Sequence, residues 1–162
     1  MKRVIIIGCP GSGKSTFART LSKKTGLPLH YLDMMYWNAD MTTVGRDVFD
    51  ARLEVAMSGD EWIIDGNYSR TMEMRLEKAD TVFFFDLPSA VCIEGVRARR
   101  GKARPDMPWV ETEDDEEFLD YIRSFETQNK PKILELLDKH GGHLEITTFK
   151  SRADADLYTE GL

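Results

Sequence analysis

From Gly8 to Ser15 the chain reads Gly-Cys-Pro-Gly-Ser-Gly-Lys-Ser. It fills every fixed position of the pattern Gly, any four residues, Gly, Lys, then Ser or Thr. The chemistry of that spacing is phosphate binding. Glycines let the backbone curl so that successive N–H groups point inward, and a helix that follows adds its positive N-terminal end. Lys14 is placed to reach the β- and γ-phosphates of a nucleotide, and the Ser15 hydroxyl to bind Mg²⁺. The cradle is assigned to Gly8, Pro10, Gly11, Ser12, Gly13, Lys14, Ser15 and Thr16. The bland alternative is a glycine-rich turn before a helix.

Such a loop works with a carboxylate at the end of an apolar strand, which orders the metal directly or through water. Asp65 after Trp62-Ile63-Ile64 and Asp86 after Val82-Phe83-Phe84-Phe85 both fit that pattern. Asp86 precedes Leu87-Pro88 and fits a strand end or turn equally well. Tyr36 and Trp37 offer flat faces on which a planar or sugar-like acceptor stacks, although aromatic residues at this density also fill cores. Arg46 and Arg70 are candidates for bidentate binding of an acceptor phosphate, with ordinary surface arginines as the alternative.

These residues need elements to hold them. Val4-Ile5-Ile6-Ile7 is a β-branched run closed by Gly8, which reads as a buried strand. A helix follows from Lys14 with Phe17 and Leu21 on one face, and Gly26 stops it. Residues 29–32, 62–64, 81–85 and 144–147 read as four more strands. Helices are expected over roughly 47–58, 69–78 and 89–100, the last capped by Ser89 and ended by Gly101. Residues 34–46 lack a clean period and read as a loop. Residues 102–112, with Pro105 and Pro108, read as a mobile polar loop. Thr112 and Asp115 suggest a capping box for a long helix that Pro131 kinks or divides. Gly141-Gly142 ends it, and a last helix is expected from Ser151. Alternating strands and helices give an α/β fold with a parallel sheet covered on both faces. Ligands bind beyond the carboxyl ends of such strands, where Gly8, Asp33, Asp65 and Asp86 converge.

The chain has 162 residues, 22 Lys plus Arg and 28 Asp plus Glu. That length suits one domain over 1–162 with a core that needs no disulfide or structural metal. The formal net charge of -6 disfavours direct binding to nucleic acid. Cys9 and Cys92 have no second Cys or His at ligand spacing, so a reduced, cytoplasmic protein is expected. No apolar run approaches the length of a membrane span. His30, His140 and His143 share no metal spacing, and Cys9 is not required for phosphate chemistry.

Five segments together resemble a known group: Gly8 to Ser15, Leu32 to Trp37, Trp62 to Tyr68, Asp80 to Pro88 and Arg97 to Arg104. They resemble the P-loop kinases of the nucleoside-monophosphate kinase type, above all the adenylate-kinase-like proteins labelled for DNA topology modulation or flagellar regulation. The resemblance reaches to about Leu137. It implies a three-layer P-loop NTPase fold with a five-stranded parallel sheet in the order 2-3-1-4-5 and a short lid at about 101–113. It favours Asp65 as the metal-side carboxylate, because the third strand then lies beside the first. Asp33 falls where several small-molecule P-loop kinases place a carboxylate that orients the acceptor hydroxyl or takes its proton. Arg97, Arg100 and Arg104 match lid arginines that close over ATP, whereas Arg99 and Lys102 are expected to face solvent.

The acceptor half departs from the adenylate kinases. Where they carry elements like Thr-Gly-Asp-Leu-Leu-Arg and Asp-Gly-Phe-Pro-Arg, this chain has Leu32-Asp33-Met34-Met35-Tyr36-Trp37 and Asp65-Gly66-Asn67-Tyr68-Ser69-Arg70. The resulting expectation is phosphoryl transfer from ATP, with Mg²⁺, to a small-molecule acceptor, a nucleoside monophosphate first. The competing expectation is an ATP-binding regulatory protein that acts on a macromolecular partner. The residues leave oligomeric state open.

Overall fold

A computed structural model describes residues 1–162. The apolar run at the start becomes β1 (Arg3–Gly8), in which Val4 to Ile7 are fully buried. Only a strand covered on both faces tolerates such a run. β3 (Trp62–Asp65) pairs with one edge of β1 and β4 (Thr81–Phe85) with the other. β2 (Leu29–Tyr31) and β5 (Glu145–Phe149) complete an all-parallel sheet in the order β2-β3-β1-β4-β5.

Helices flank the sheet. α1 (Lys14–Thr25) packs beside α8 (Arg152–Glu160), and α4 (Ser69–Lys78) beside α7 (Lys130–His140). α5 (Ser89–Ala98) adjoins α6 (Glu116–Gln128), and α3 (Arg46–Ala56) adjoins the five-residue α2 (Leu32–Tyr36). Phe17 of α1 meets Phe83, Phe85 and Phe149 edge-on at centroid distances of 4.9, 5.4 and 5.2 Å. Each such pair adds about 1 kcal/mol beyond the area it buries. They fix α1, and with it the glycine-rich turn, against β4 and β5.

Local chemistry moves several expected boundaries. The stretch read as a loop from residue 34 begins inside α2, which carries Asp33 in its first turn. Its apolar side chains follow no clear period because the helix is barely longer than one turn. Ser89 is the first residue of α5, not its cap; Pro88 precedes the helix, and the Ser89 hydroxyl donates to the Ile122 carbonyl at 3.2 Å. Thr112 forms no capping box, since Asp115 itself caps α6 by accepting from the Phe118 amide at 3.2 Å. Pro131 divides the expected long helix: α6 ends at Gln128, and α7 starts with the proline in its first turn, where a missing N–H costs nothing. The last helix begins as expected, with a complete capping box between Ser151 and Asp154.

The segment expected as a mobile polar loop is pinned at its middle. Asp106 is 4% exposed, and the Gly101 amide donates to the Glu111 carbonyl at 2.6 Å. No helix is long and apolar enough to cross a membrane. On the far side of the molecule Glu73 of α4 accepts from Lys139 and approaches His140 Nε2 at 3.1 Å, so that His140 ties α7 to α4.

Candidate functional site

The turn after β1 has the form its glycines demand. Gly8, Gly11 and Gly13 take φ values of 139°, 81° and 103°, open to glycine and strained for other residues. α1 then begins at Lys14, and the N–H groups of its first turn have no acceptor within the helix. Three neighbours clamp the turn. Asn67 grips Gly8 twice, accepting from its amide at 2.9 Å and donating to its carbonyl at 2.8 Å. Arg152, at the start of α8, donates to the Gly11 carbonyl at 2.8 Å. α5 meets the turn backbone to backbone: a Cβ placed on Gly95 would stand 2.1 Å from the Gly11 carbonyl oxygen. Ser12 lies within this cradle with its buried hydroxyl unpartnered.

Two carboxylates face the cradle from neighbouring elements. Ser15 Oγ donates to Asp65 Oδ2 at 2.5 Å, and Asp65 Oδ1 is buried with no protein partner. A hydroxyl and a half-satisfied buried carboxylate, side by side, form the oxygen-rich pair that suits Mg²⁺. Burial pushes the Asp65 carboxyl up to about 6, against the opposing pull of Lys14 and the Ser15 hydroxyl. Lys14 Nζ donates to the Cys9 carbonyl at 3.1 Å. Asp33 stands across the cleft from the turn, and burial raises its carboxyl too. Asp86 is elsewhere. It takes the ammonium of Lys130 at 2.9 Å and that of Lys150, joining β4 to α7 and the end of β5.

The cleft has a volume of about 1510 Å³ and runs from Pro10, Lys14 and Ser15 to Tyr36, Trp37, Arg46 and Arg70. That exceeds the roughly 300–1,000 Å³ of a site for one small ligand. Tyr36 packs edge-on to Trp37, Phe49 and Tyr68. Arg46 lines the cleft with no carboxylate within salt-bridge distance, whereas Arg70 is held by both oxygens of Asp50 at 2.5 and 3.2 Å.

Over the cleft lies the segment that follows α5. Trp109 meets Trp37 edge-on at 4.7 Å, so the segment rests on the aromatic end of the cleft. Arginines of this segment and of the last turn of α5 hold its acids. Arg97 lies 3.7 Å from Asp114, Arg100 also pairs with Asp114, and Arg104 holds Asp106 at 2.9 Å and Glu111 at 3.4 Å. Arg99 does not face solvent as expected: it lines the cleft, half-buried against Glu111 at 3.2 Å. Cys9 and Cys92 are both buried and free, and the neighbouring Cys92 with burial pushes the Cys9 thiol upward.

Several residues of the site carry no local signal in the sequence. Arg75 is fully buried and donates to the Gly66, Asn67 and Tyr68 carbonyls, shaping the turn after β3. Burial lowers its guanidinium to about 9, and Asp65 draws it back up. Asp106, Asn67 and Arg152 likewise act across the fold. The only available hint is the polar sequence Asp-Gly-Asn directly after an apolar strand.

A parallel sheet in this order, with a glycine-rich turn leading from the central strand into a helix, is the P-loop kinase fold. Among solved structures the chain is similar to a shikimate kinase from Bacteroides thetaiotaomicron, with a TM-score of 0.60 and 17% identity over 99% of this chain and 95% of that one. It is also similar to a gluconokinase from Sinorhizobium meliloti 1021, with a TM-score of 0.58 and 14% identity over 98% of this chain and 89% of that one. No protein-family model and no curated protein matches the chain.

Proposed function

We propose that the protein is an ATP-dependent small-molecule kinase with a nucleoside monophosphate as its first-choice acceptor. One observation supports this above the others: the cradle at Gly8–Thr16 and the two carboxylates Asp65 and Asp33 open onto a single cleft with room for two ligands. Backbone amides of the cradle and Lys14 hold the β- and γ-phosphates. Ser15 and Asp65 hold Mg²⁺, which when bound neutralises charge between those phosphates. Asp33 orients the attacking oxygen of the acceptor, which in a nucleoside monophosphate is an oxygen of its phosphate. As that oxygen bonds to the γ-phosphorus, any proton it carries passes to Asp33, and the bond from the γ-phosphorus to the bridging oxygen breaks to release ADP. Arg97, Arg100 and Arg104 exchange their carboxylate partners for phosphoryl oxygens and stabilise the charge that develops there.

The aromatic walls at Tyr36, Trp37 and Trp109 suit a nucleobase, and Arg46, lacking a carboxylate partner, suits an acceptor phosphate. Both structural neighbours are named for kinases of small molecules. The resemblance to adenylate-kinase-like proteins points the same way.

Single-turnover ADP release, measured against nucleoside monophosphates, nucleosides, sugar acids and polyols, tests the reading. Acceptor-stimulated release is expected, and Lys14→Ala should lower it by at least about a hundredfold. The variant should still fold, because Lys14 makes its one hydrogen bond within its own loop, with a midpoint lowered at neutral pH because its charge no longer draws down the buried Asp65 and Asp33 carboxyls. Tight ATP binding with no stimulation by any acceptor would favour a regulatory ATP-binding protein instead.

A further inference from the structure

Tyr68 belongs to no expected set of site residues, yet its phenol donates to Asp33 Oδ1 at 2.6 Å and no other protein donor reaches that carboxylate. Its backbone is unusual. With φ 41° and ψ 73° it is one of two non-glycine residues in left-handed conformation, a state that costs of order 1–3 kcal/mol. The structure holds it there. Arg75 donates to the Tyr68 carbonyl at 3.2 Å, and the Thr71 amide donates to the same oxygen at 3.0 Å. The ring is enclosed by Tyr36 at 5.1 Å and Phe49 at 5.2 Å. A buried cation, a strained residue and two aromatic contacts all serve to aim one hydroxyl at one carboxylate oxygen.

We propose that Tyr68 is the positioning residue of the phosphoryl-transfer site: it grips Asp33 by Oδ1 and turns Oδ2 toward the attacking oxygen of the acceptor. The proposal rests on the kinase reading above. The geometry also bears on the ionisation of Asp33. Burial raises that carboxyl, while the Tyr68 bond and then Lys14 of α1 draw it down. From the lid, Asp106 raises it and Arg104 lowers it. At the end of β3 stands Asp65, a like charge coupled to Asp33. On α3, Arg52 is engaged with the Met35 carbonyl at 2.9 Å. Burial and Asp33 push the Tyr68 phenol far above its ordinary value, so it remains a donor at every working pH.

Tyr68→Phe tests this, because it keeps the ring and removes the hydroxyl alone. The expected result is a fall in kcat of roughly tenfold with acceptor KM within about twofold. The acidic limb of the kcat/KM profile should move to higher pH, because Asp33 loses the bond that favours its charged form. In an Asp33→Asn background the same substitution should change kcat no further. Carbon-13 carboxylate NMR of the ligand-free protein adds a readout independent of turnover: the Asp33 resonance should titrate at higher pH in Tyr68→Phe than in the parent. An unmoved resonance, an unmoved acidic limb or a full additional loss in the Asp33→Asn background overturns the proposal. A shifted resonance in a protein with no acceptor-stimulated turnover would overturn the kinase reading and leave the Tyr68–Asp33 coupling intact.

Discussion

Under the proposed function Asp65 serves metal binding at the expense of the fold. Its carboxyl is pushed up to about 6 by burial, against about 3.9 in an unfolded chain. Folding therefore takes up a proton between those values. The stability contributed by the neutral form is fully present below about pH 4 and is lost as pH rises through about 6. At pH 8 the ionised, buried group costs about 3 kcal/mol relative to its neutral form. Asp65→Asn should accordingly be more stable than the parent by about 2–3 kcal/mol at pH 8 and equal to it below about pH 4, measured by urea unfolding at both pH values. The same substitution should abolish phosphoryl transfer, because an amide is a poor partner for Mg²⁺. Residues 8–15 and the carboxylates at strand ends were legible in the sequence because their chemistry depends on short spacing. Tyr68, Arg75 and Arg152 were not, since each acts on atoms that only the folded chain brings near.

At the scale of elements, the contact between α5 and the phosphate-binding turn leaves no room for a side chain. A methyl group on Gly95 would press on the Gly11 carbonyl and on Arg152, at 2.1 and 2.6 Å. Ala favours a helix over Gly by about 1 kcal/mol, so local propensity and tertiary packing oppose each other at this position. Packing should win. Gly95→Ala is expected to weaken Mg²⁺–ATP binding by at least about tenfold, because the displaced turn no longer aims its amides. Calorimetric titration of folded protein checks this. The sequence marked Gly101 as a stop signal but said nothing about Gly95, whose neighbour lies more than eighty positions away. Elements with several turns were easy to read from their periodicity. α2 was not, because five residues are too few to display a period, and an apolar Met-rich stretch fits loop and helix alike.

The whole molecule places an acidic and a basic set on one segment and lets them neutralise each other. Arg97, Arg100 and Arg104 are bound to Asp114, Asp106 and Glu111, so under the proposed function the nucleotide's phosphates compete with those carboxylates for them. That exchange should move Trp109 against Trp37. Mg²⁺–ATP is therefore expected to change tryptophan fluorescence, and Trp109→Phe should remove most of the change; Trp62, fully buried in β3, contributes a constant background. The order of the sheet followed from the resemblance, and its parallel strands from the alternation of strands and helices. The pinning of the lid did not, because a stretch containing Pro105 and Pro108 reads as irregular whether or not Asp106 is buried beneath it.

Arg152 and the Gly11 carbonyl it holds are separated by 141 positions in the chain. The glycine-rich turn therefore leaves the ribosome well before the residue that clamps it. The turn thus reaches its braced shape only once the chain has folded back as far as α8, and a variant without α8 would keep the signature motif while losing the brace that shapes it.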